Sequence, residues 1–161
     1  AEDGKFCSHD GFDREAIEKA LTRNKQGGRM RGGSTISQQT AKNVFLWQGF
    51  GWTRYLRKIP EVYFTFLIEN IWGKRRIMEV YLNVAETGIG TYGAEAGAQR
   101  YFQKSAKNLT RTEAARLAAI LPLPKKRPVN GVGGFTRRYG NSISARIRVV
   151  KRDGLDSCIY T

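Results

Sequence analysis

A glycine pair followed at once by a helix-start signature constrains this chain more than any other stretch: Gly32-Gly33-Ser34-Thr35-Ile36-Ser37-Gln38. The two glycines let the backbone bend tightly. Thr35-x-x-Gln38 has the form of a capping box, in which each side chain satisfies an otherwise orphaned N–H of the other residue. A helix is therefore expected from Ile36, with Lys42 projecting from it. Between Arg31 and Asn43 the chain gathers exposed N–H groups, hydroxyls, the carboxamides of Gln38 and Gln39 and a cation, an array suited to an oxygen-rich, anionic ligand. A loop and a well-capped helix without any ligand is the plainer alternative, because a Ser or Thr three residues before a Gln or Glu is common.

Charge narrows the partner. The 28 Lys and Arg residues face 14 Asp and Glu, a formal charge of +14, which predicts nucleic acid, an acidic membrane or a phosphorylated substrate. At 161 residues the chain is long enough for one real core, and a single domain over 1–161 is the default. The longest uncharged aromatic and aliphatic run, Val62 to Ile68, is seven residues, far short of the roughly 20 that span a bilayer. The chain opens at Ala1-Glu2-Asp3 without a Met or a signal peptide, so it is expected to be a fragment or a processed chain. Cys7 and Cys158 lie far apart and match neither a redox nor a zinc spacing, so two ordinary thiols are expected rather than a disulfide.

Taken in order, Glu2 to Asp13 holds four acids and the single histidine, His9; Asp13 then reads as the cap of a helix with an Ala16, Ile17, Ala20, Leu21 stripe. Val44 to Trp52 interleaves aromatic residues with glycines ahead of Arg54, Arg57 and Lys58, a composition fit for a membrane interface or for stacking bases. Leu56, Ile59, Tyr63, Phe66 and Asn70 predict one long, largely buried helix over Thr53 to Trp72, with Pro60 kinking it or marking its first turn. Lys74 to Glu86 predicts an amphipathic helix whose early cations oppose its dipole, which hints at a job beyond folding. Gly88-Ile89-Gly90-Thr91-Tyr92-Gly93 matches a dinucleotide-binding pattern letter for letter but follows a helix rather than a strand, so a glycine-rich turn is expected. Ala94 to Phe102 and a segment opened by Thr110-x-x-Glu113 predict two further helices. Lys125 to Gly140 predicts a basic connection, and Asn141 or Ser142 caps a last helix that ends at Gly154. No segment alternates with strand period, so the expected fold class is all-α.

Paired carboxylates flanking a sugar are the usual engine of glycosyl chemistry, and Glu2 and Glu61 are the obvious pair. Cations beside them would stabilise a pyrophosphate leaving group. Four motifs occur in order: Glu2-Asp3-x-x-Phe6-x-x-His9-x-Gly11-x-Asp13, Gly32-Gly33-Ser34-Thr35-Ile36-Ser37-Gln38-Gln39-x-x-Lys42-Asn43, Arg57-Lys58-x-x-Glu61, and Lys74-x-x-Ile77-x-Glu79-x-Tyr81-Leu82-Asn83. On these the chain resembles the bacterial peptidoglycan glycosyltransferases, nearest their monofunctional biosynthetic branch.

That resemblance implies a lysozyme-like helical head, a small membrane-associated jaw at about 43–56, and a cleft that polymerises lipid II into glycan strands. It implies Glu2 as the base for the 4-hydroxyl of acceptor lipid II, and Lys42, Arg57 and Lys58 as neutralisers of the donor diphosphate. Glu61 becomes the second acid, able to help hold a divalent metal (Mg or Mn), with no organic cofactor. Asp3, Phe6, His9, Ser34, Thr35, Gln38 and Gln39 match further motif positions that line or shape the cleft. Arg54 stands in for an Arg the family's jaw often carries, and Ala145 departs from a usual Arg. The implied partners are lipid II, the growing strand, an anionic membrane surface and other cell-wall synthesis proteins, without nucleic acid. The implied place is the bacterial cytoplasmic membrane, with the domain on its periplasmic or outer side and the anchor missing from this chain.

Two rival readings are a basic nucleic-acid-binding module and a lysozyme-like enzyme that cleaves finished peptidoglycan. The glycosyltransferase reading requires Glu2 and Glu61 to face one cleft, farther apart than the roughly 5.5 Å of a retaining pair. It also expects Trp47, Phe50 and Trp52 to be exposed.

Overall fold

Asp13 and Thr35 start the first two long helices as their side chains dictate. The computed structural model describes residues 2–25, 27, 33–47, 51–127, 129 and 134–160, apart from the side chains of Arg23, Asn24 and Arg54. Asp13 Oδ1 accepts the Ala16 N–H at 2.9 Å and opens α1, Arg14–Lys25. Both halves of the Thr35/Gln38 capping box are made at the start of α2, Ile36–Phe45. Arg31, Gly32 and Phe50 lie outside the described residues.

The expected long helix is two elements, α3 at Thr53–Leu56 and α4 at Lys58–Ile71, with Pro60 in the first turn of α4, where its missing N–H costs nothing. Trp72 ends α4 and α5 follows at once, Gly73–Val84. The all-α expectation holds for the body of the fold, but the glycine-rich turn contains a small antiparallel hairpin, β1 (Glu86–Gly88) and β2 (Thr91–Tyr92). Its carbonyls are tied down by its neighbour α6, Ala94–Phe102: Tyr101 Oη donates to Thr87 O at 3.0 Å and Arg100 to Ile89 O at 2.9 Å. The Thr110/Glu113 box opens α7, Arg111–Ile120.

The last helix, α8, runs Phe135–Asp153 and so begins well before Asn141. Gly140 looks like a loop residue but is buried against α7, 3.6 Å from the Arg116 Cα by the position a Cβ would take. A Cβ there would stand at ordinary contact distance from Arg116, so α7 and α8 would still pack with alanine at this position. Gly154 ends α8 in the left-handed region, as read from the sequence.

The main core joins Phe6, Ile36, Ala41, Ile68, Ile77, Tyr81 and Ala85 from the N-terminal segment, α2, α4 and α5. Cys7, Cys158 and Ile159 pack on it, and Cys7 and Cys158 form a disulfide, contrary to the expectation of thiols. Sequence distance was the misleading cue. The short 3-10 turns Phe6–Ser8 and Ser157–Ile159 lie side by side, with the two Cα atoms 5.5 Å apart, a normal disulfide span.

The buried face of α4 also differs from expectation. Glu61, Thr65 and Ile68 turn inward onto α2, while Ile59 (74% exposed), Tyr63 and Phe66 (61%) face solvent with Leu56. The apolar stripe predicted to be core is the outer surface, because a mainly polar face of α4 meets a mainly polar face of α2. Among the described residues no helix is long and apolar enough to cross a membrane.

Candidate active site

Glu2 is held in place by its neighbour. The Asp3 side chain is 1% exposed and accepts from three donors: His9 Nε2 at 2.8 Å, the Ile36 N–H at 3.1 Å and the Lys5 N–H at 3.3 Å. Ile36 is the first residue of α2, so Asp3 also sits at a helix N-terminus, where a carboxylate is favoured. His9 Nδ1 accepts the Gly11 N–H at 3.1 Å, which places the ring proton on Nε2, facing Asp3. Gly11 has φ +91° and its carbonyl accepts from Thr35 Oγ1 at 2.6 Å. With Asp3 anchored on both sides, half-buried Glu2 next to it accepts a hydrogen bond from Gln39 Nε2 at 3.0 Å on one oxygen, and among the described residues nothing bonds the other.

Cations gather across from it. Lys42 lies within electrostatic reach of both Glu61 and Glu2, and of Arg57 and Lys58 as well. Glu61 is 4% exposed and binds Lys58 Nζ at 2.5 Å one turn away. Arg57 reaches back to the Trp47 carbonyl at 3.0 Å, while its Nε is buried with no hydrogen-bond partner among the described residues. Three cations and two carboxylates thus interact here, with one buried guanidinium donor that no described residue engages. The charges of both carboxylates act on Lys42, Glu61 more strongly than Glu2. A half-open groove of about 290 Å³ lined by Asn43, Asn83, Val84, Glu86 and Tyr92 adjoins the end of α2 next to Lys42.

The family model described as Transglycosylase matches residues 1–148. The chain belongs to the transglycosylase family. It is 56% identical over 159 residues to the biosynthetic peptidoglycan transglycosylase of Caulobacter vibrioides, covering 99% of this chain and 68% of that protein. It is 50% identical to the namesake from Rhodospirillum centenum over the same shares. With that of Xanthomonas axonopodis pv. citri it shares 53% over 148 residues, 92% of this chain and 59% of the relative. The chain thus spans about two thirds of the length of the first two relatives and less of the third.

Within this transglycosylase domain the sequence-predicted residues separate into two groups. Glu2, Gln39, Lys42, Arg57, Lys58 and Glu61 come together around Lys42. Asp3, Phe6, His9, Thr35 and Gln38 are buried or nearly so, with the polar groups of Asp3, His9, Thr35 and Gln38 engaged by the protein itself. Ser34 is exposed, and the Arg54 side chain lies outside the described residues.

Sequence reasoning singled out no role for Tyr81, Glu69 or Ser37. Tyr81 is buried, and its hydroxyl is pushed well above its ordinary range by burial first and then by the negative charges of Glu2 and Asp3, which keeps it protonated beneath them. The Lys74 to Asn83 motif contained it, but no periodicity says that it faces Glu2.

Lys42 carries the electrostatic signature of the site. Burial lowers its pKa below the ordinary 10.5; attraction to Glu61 opposes this, Arg57 and Lys58 add to it, and Glu2 opposes it weakly. The folded state therefore releases this proton at lower pH than the unfolded chain does. Holding the charge costs stability at neutral pH, and the cost lifts as pH rises from the depressed folded value to 10.5. Lys42→Met is accordingly expected to melt at a higher temperature than wild type at pH 7, with the gap closing toward pH 10.5, while glycan polymerisation is lost. A lower melting temperature at pH 7 would show that the ammonium supports the fold.

Proposed function

We propose that this chain polymerises lipid II into peptidoglycan glycan strands by inverting glycosyl transfer. The observation that carries the reading is the cationic cluster at buried Glu61: Lys58 binds it at 2.5 Å, Arg57 has a buried Nε that no described residue engages, and Lys42 is a desolvated ammonium on which the charges of Glu61, Arg57, Lys58 and Glu2 act. Such a cluster is stabilised by a diphosphate. Glu2 takes the proton of the acceptor's 4-hydroxyl, whose oxygen attacks the anomeric carbon of the growing chain. The bond to the α-linked undecaprenyl pyrophosphate breaks, that group leaves with the electron pair, and a β-1,4 linkage forms. Lys42, Arg57 and Lys58 neutralise the leaving diphosphate, and the partnerless Arg57 Nε gains an acceptor. Glu61 orients Lys58. The buried group of Asp3, Phe6, His9, Thr35 and Gln38 shapes the substrate cleft, Ser34 and Gln39 add polar contacts, and Arg54 stands in for the Arg that the family's jaw often carries.

Among the described residues no three His, Cys, Asp or Glu side chains converge as a metal cage. A divalent ion held by one carboxylate and substrate phosphates needs no such cage, and Glu61 would hold it with the pyrophosphate. The ion would supply charge neutralisation. The relatives are named as biosynthetic enzymes, which favours synthesis over cleavage of finished wall.

The outward face of α3 and α4 supports contact with an anionic membrane. Trp52 is 72% and Tyr55 76% exposed, and the surface continues through Ile59, Tyr63 and Phe66 to Ile71, with Trp47 nearby. Water disfavours such a face, whereas aromatic rings settle at headgroup depth and the chain's excess cations meet lipid phosphates. The jaw thus comprises more than residues 43–56. The disulfide favours an oxidising compartment, in keeping with the periplasmic or outer side of the membrane.

Incubating the protein with labelled lipid II in detergent and a divalent cation should yield polymer; protein that binds lipid II and makes none would reduce this reading to a binding module. In a second assay, Ile59→Ser with Phe66→Ser should weaken sedimentation with phosphatidylglycerol vesicles by at least about tenfold, since each side chain offers roughly 1.5–3 kcal/mol of burial. Equal sedimentation would remove the membrane from this face.

A further inference from the structure

We propose that Glu69 is a positioning residue for the segment that carries Glu2. Its side chain is 8% exposed, it belongs to α4, and it lies outside the cationic cluster. Oε1 accepts from Ser37 Oγ in the first turn of α2 and from Lys74 Nζ at 2.6 Å in the first turn of α5. Its Cγ presses on Gly11, standing 3.1 Å from where a Cβ would be, with Thr65 Cγ2 at 2.9 Å on the same spot. A side chain at position 11 would meet both.

Each contact leads back to the base. Gly11 carries the N–H bonded to His9, which holds Asp3, and the carbonyl bonded to Thr35. Ser37 follows Ile36, whose N–H binds Asp3 directly. Lys74 stands over the Phe6 ring at 4.8 Å, in the turn that follows Glu2 and Asp3. One buried carboxylate therefore sets the relative placement of the N-terminal segment, α2 and α5. It also accounts for a cation at the start of α5, where the helix dipole disfavours one: Lys74 serves Glu69. Charge-assisted bonds on one oxygen from two helices fix geometry tightly, and a misplacement of about 1 Å in a reacting group can cost on the order of 10²-fold in rate.

The inference rests on Glu2 being the base, so its test has one arm that does not need activity. In Glu69→Gln, amide hydrogen exchange at Gly11 and Ile36 should quicken at least about tenfold while the α7 amides exchange as before; unchanged exchange at Gly11 and Ile36 overturns the proposal. Wild-type protein that makes no polymer defeats the functional reading and leaves this arm standing. With an active wild type, Glu69→Gln assayed well below its melting temperature should lower kcat at least about tenfold with little change in KM for lipid II, and Glu69→Asp should recover part of it. Ser37→Ala, which deletes a single hydrogen bond and so spares the fold, should lower kcat several-fold. In a Glu2→Gln background, Glu69→Gln should reduce the residual rate no further. Full kcat in Glu69→Gln and Ser37→Ala, or a full additional loss on top of Glu2→Gln, overturns the assignment in favour of a purely structural carboxylate.

Discussion

Glu2→Gln is expected to lower the rate of glycan polymerisation by about 10²- to 10⁴-fold, the range set by losing a general base, while lipid II binding persists. The amide is isosteric and its oxygen can still accept from Gln39, so the segment held by Asp3 should not move. What disappears is the acceptor for the 4-hydroxyl proton. Glu61→Gln should also lose polymerisation, for a different reason. It strips the counter-charge from Lys58 and the main attraction on Lys42, leaving a crowded cationic patch whose Lys42 titrates at still lower pH. The two variants should therefore part in their binding. Pyrophosphate-bearing donor should bind Glu2→Gln about as it binds wild type, whereas in Glu61→Gln its affinity should fall with rising pH from a lower onset. Single-turnover rates and donor binding across pH 6–9 test both, and more than a tenth of wild-type rate in Glu2→Gln would place the base elsewhere.

The second large effect concerns the disulfide. Cys7 and Cys158 are 151 residues apart in sequence, so their link closes nearly the whole chain. Removing a native disulfide typically costs roughly 2–5 kcal/mol, the loop-closure part growing with loop length. At this size a kcal/mol moves the melting temperature by about 2–4 °C, so a fall of roughly 5–20 °C is expected for Cys7→Ser with Cys158→Ser, or for wild type under reductant. Reductant should leave the double variant unchanged. Activity should decline before global melting, because Cys7 follows Phe6 in the turn that joins Glu2 and Asp3 to His9. Thermal melts and polymerisation rates with and without dithiothreitol measure this. A double variant that melts with wild type would mean that packing of the Ser157–Ile159 turn on α5 suffices alone.

Local structure was legible in the chain because its causes are local. The Thr35 and Thr110 capping boxes, the Asp13 cap, Pro60 in a first turn and Gly154 after a last one are interactions within about four residues, and each formed as read. The family was legible too, because its motifs are runs of neighbouring residues, and the charges of Glu2, Arg57, Lys58 and Glu61 from three of those runs all act on Lys42. Four features were not. Periodicity locates an apolar stripe on α4 but not what it faces; the polar surface of α2 claimed the opposite side, which turned Ile59 and Phe66 outward. Gly140 reads as a loop residue until α7 lies against it. Cys7 and Cys158 become partners only when two turns from opposite ends of the chain meet on α5. Glu69 looked like the edge of an apolar run until Ser37, Lys74 and Gly11 converged on it. By itself, then, the sequence determined the helix caps and stops whose causes lie within a turn, and the family to which the chain belongs. Tertiary packing alone decided which faces are buried, which distant residues are joined and what holds the base in place, because those depend on surfaces that no window of neighbouring residues contains.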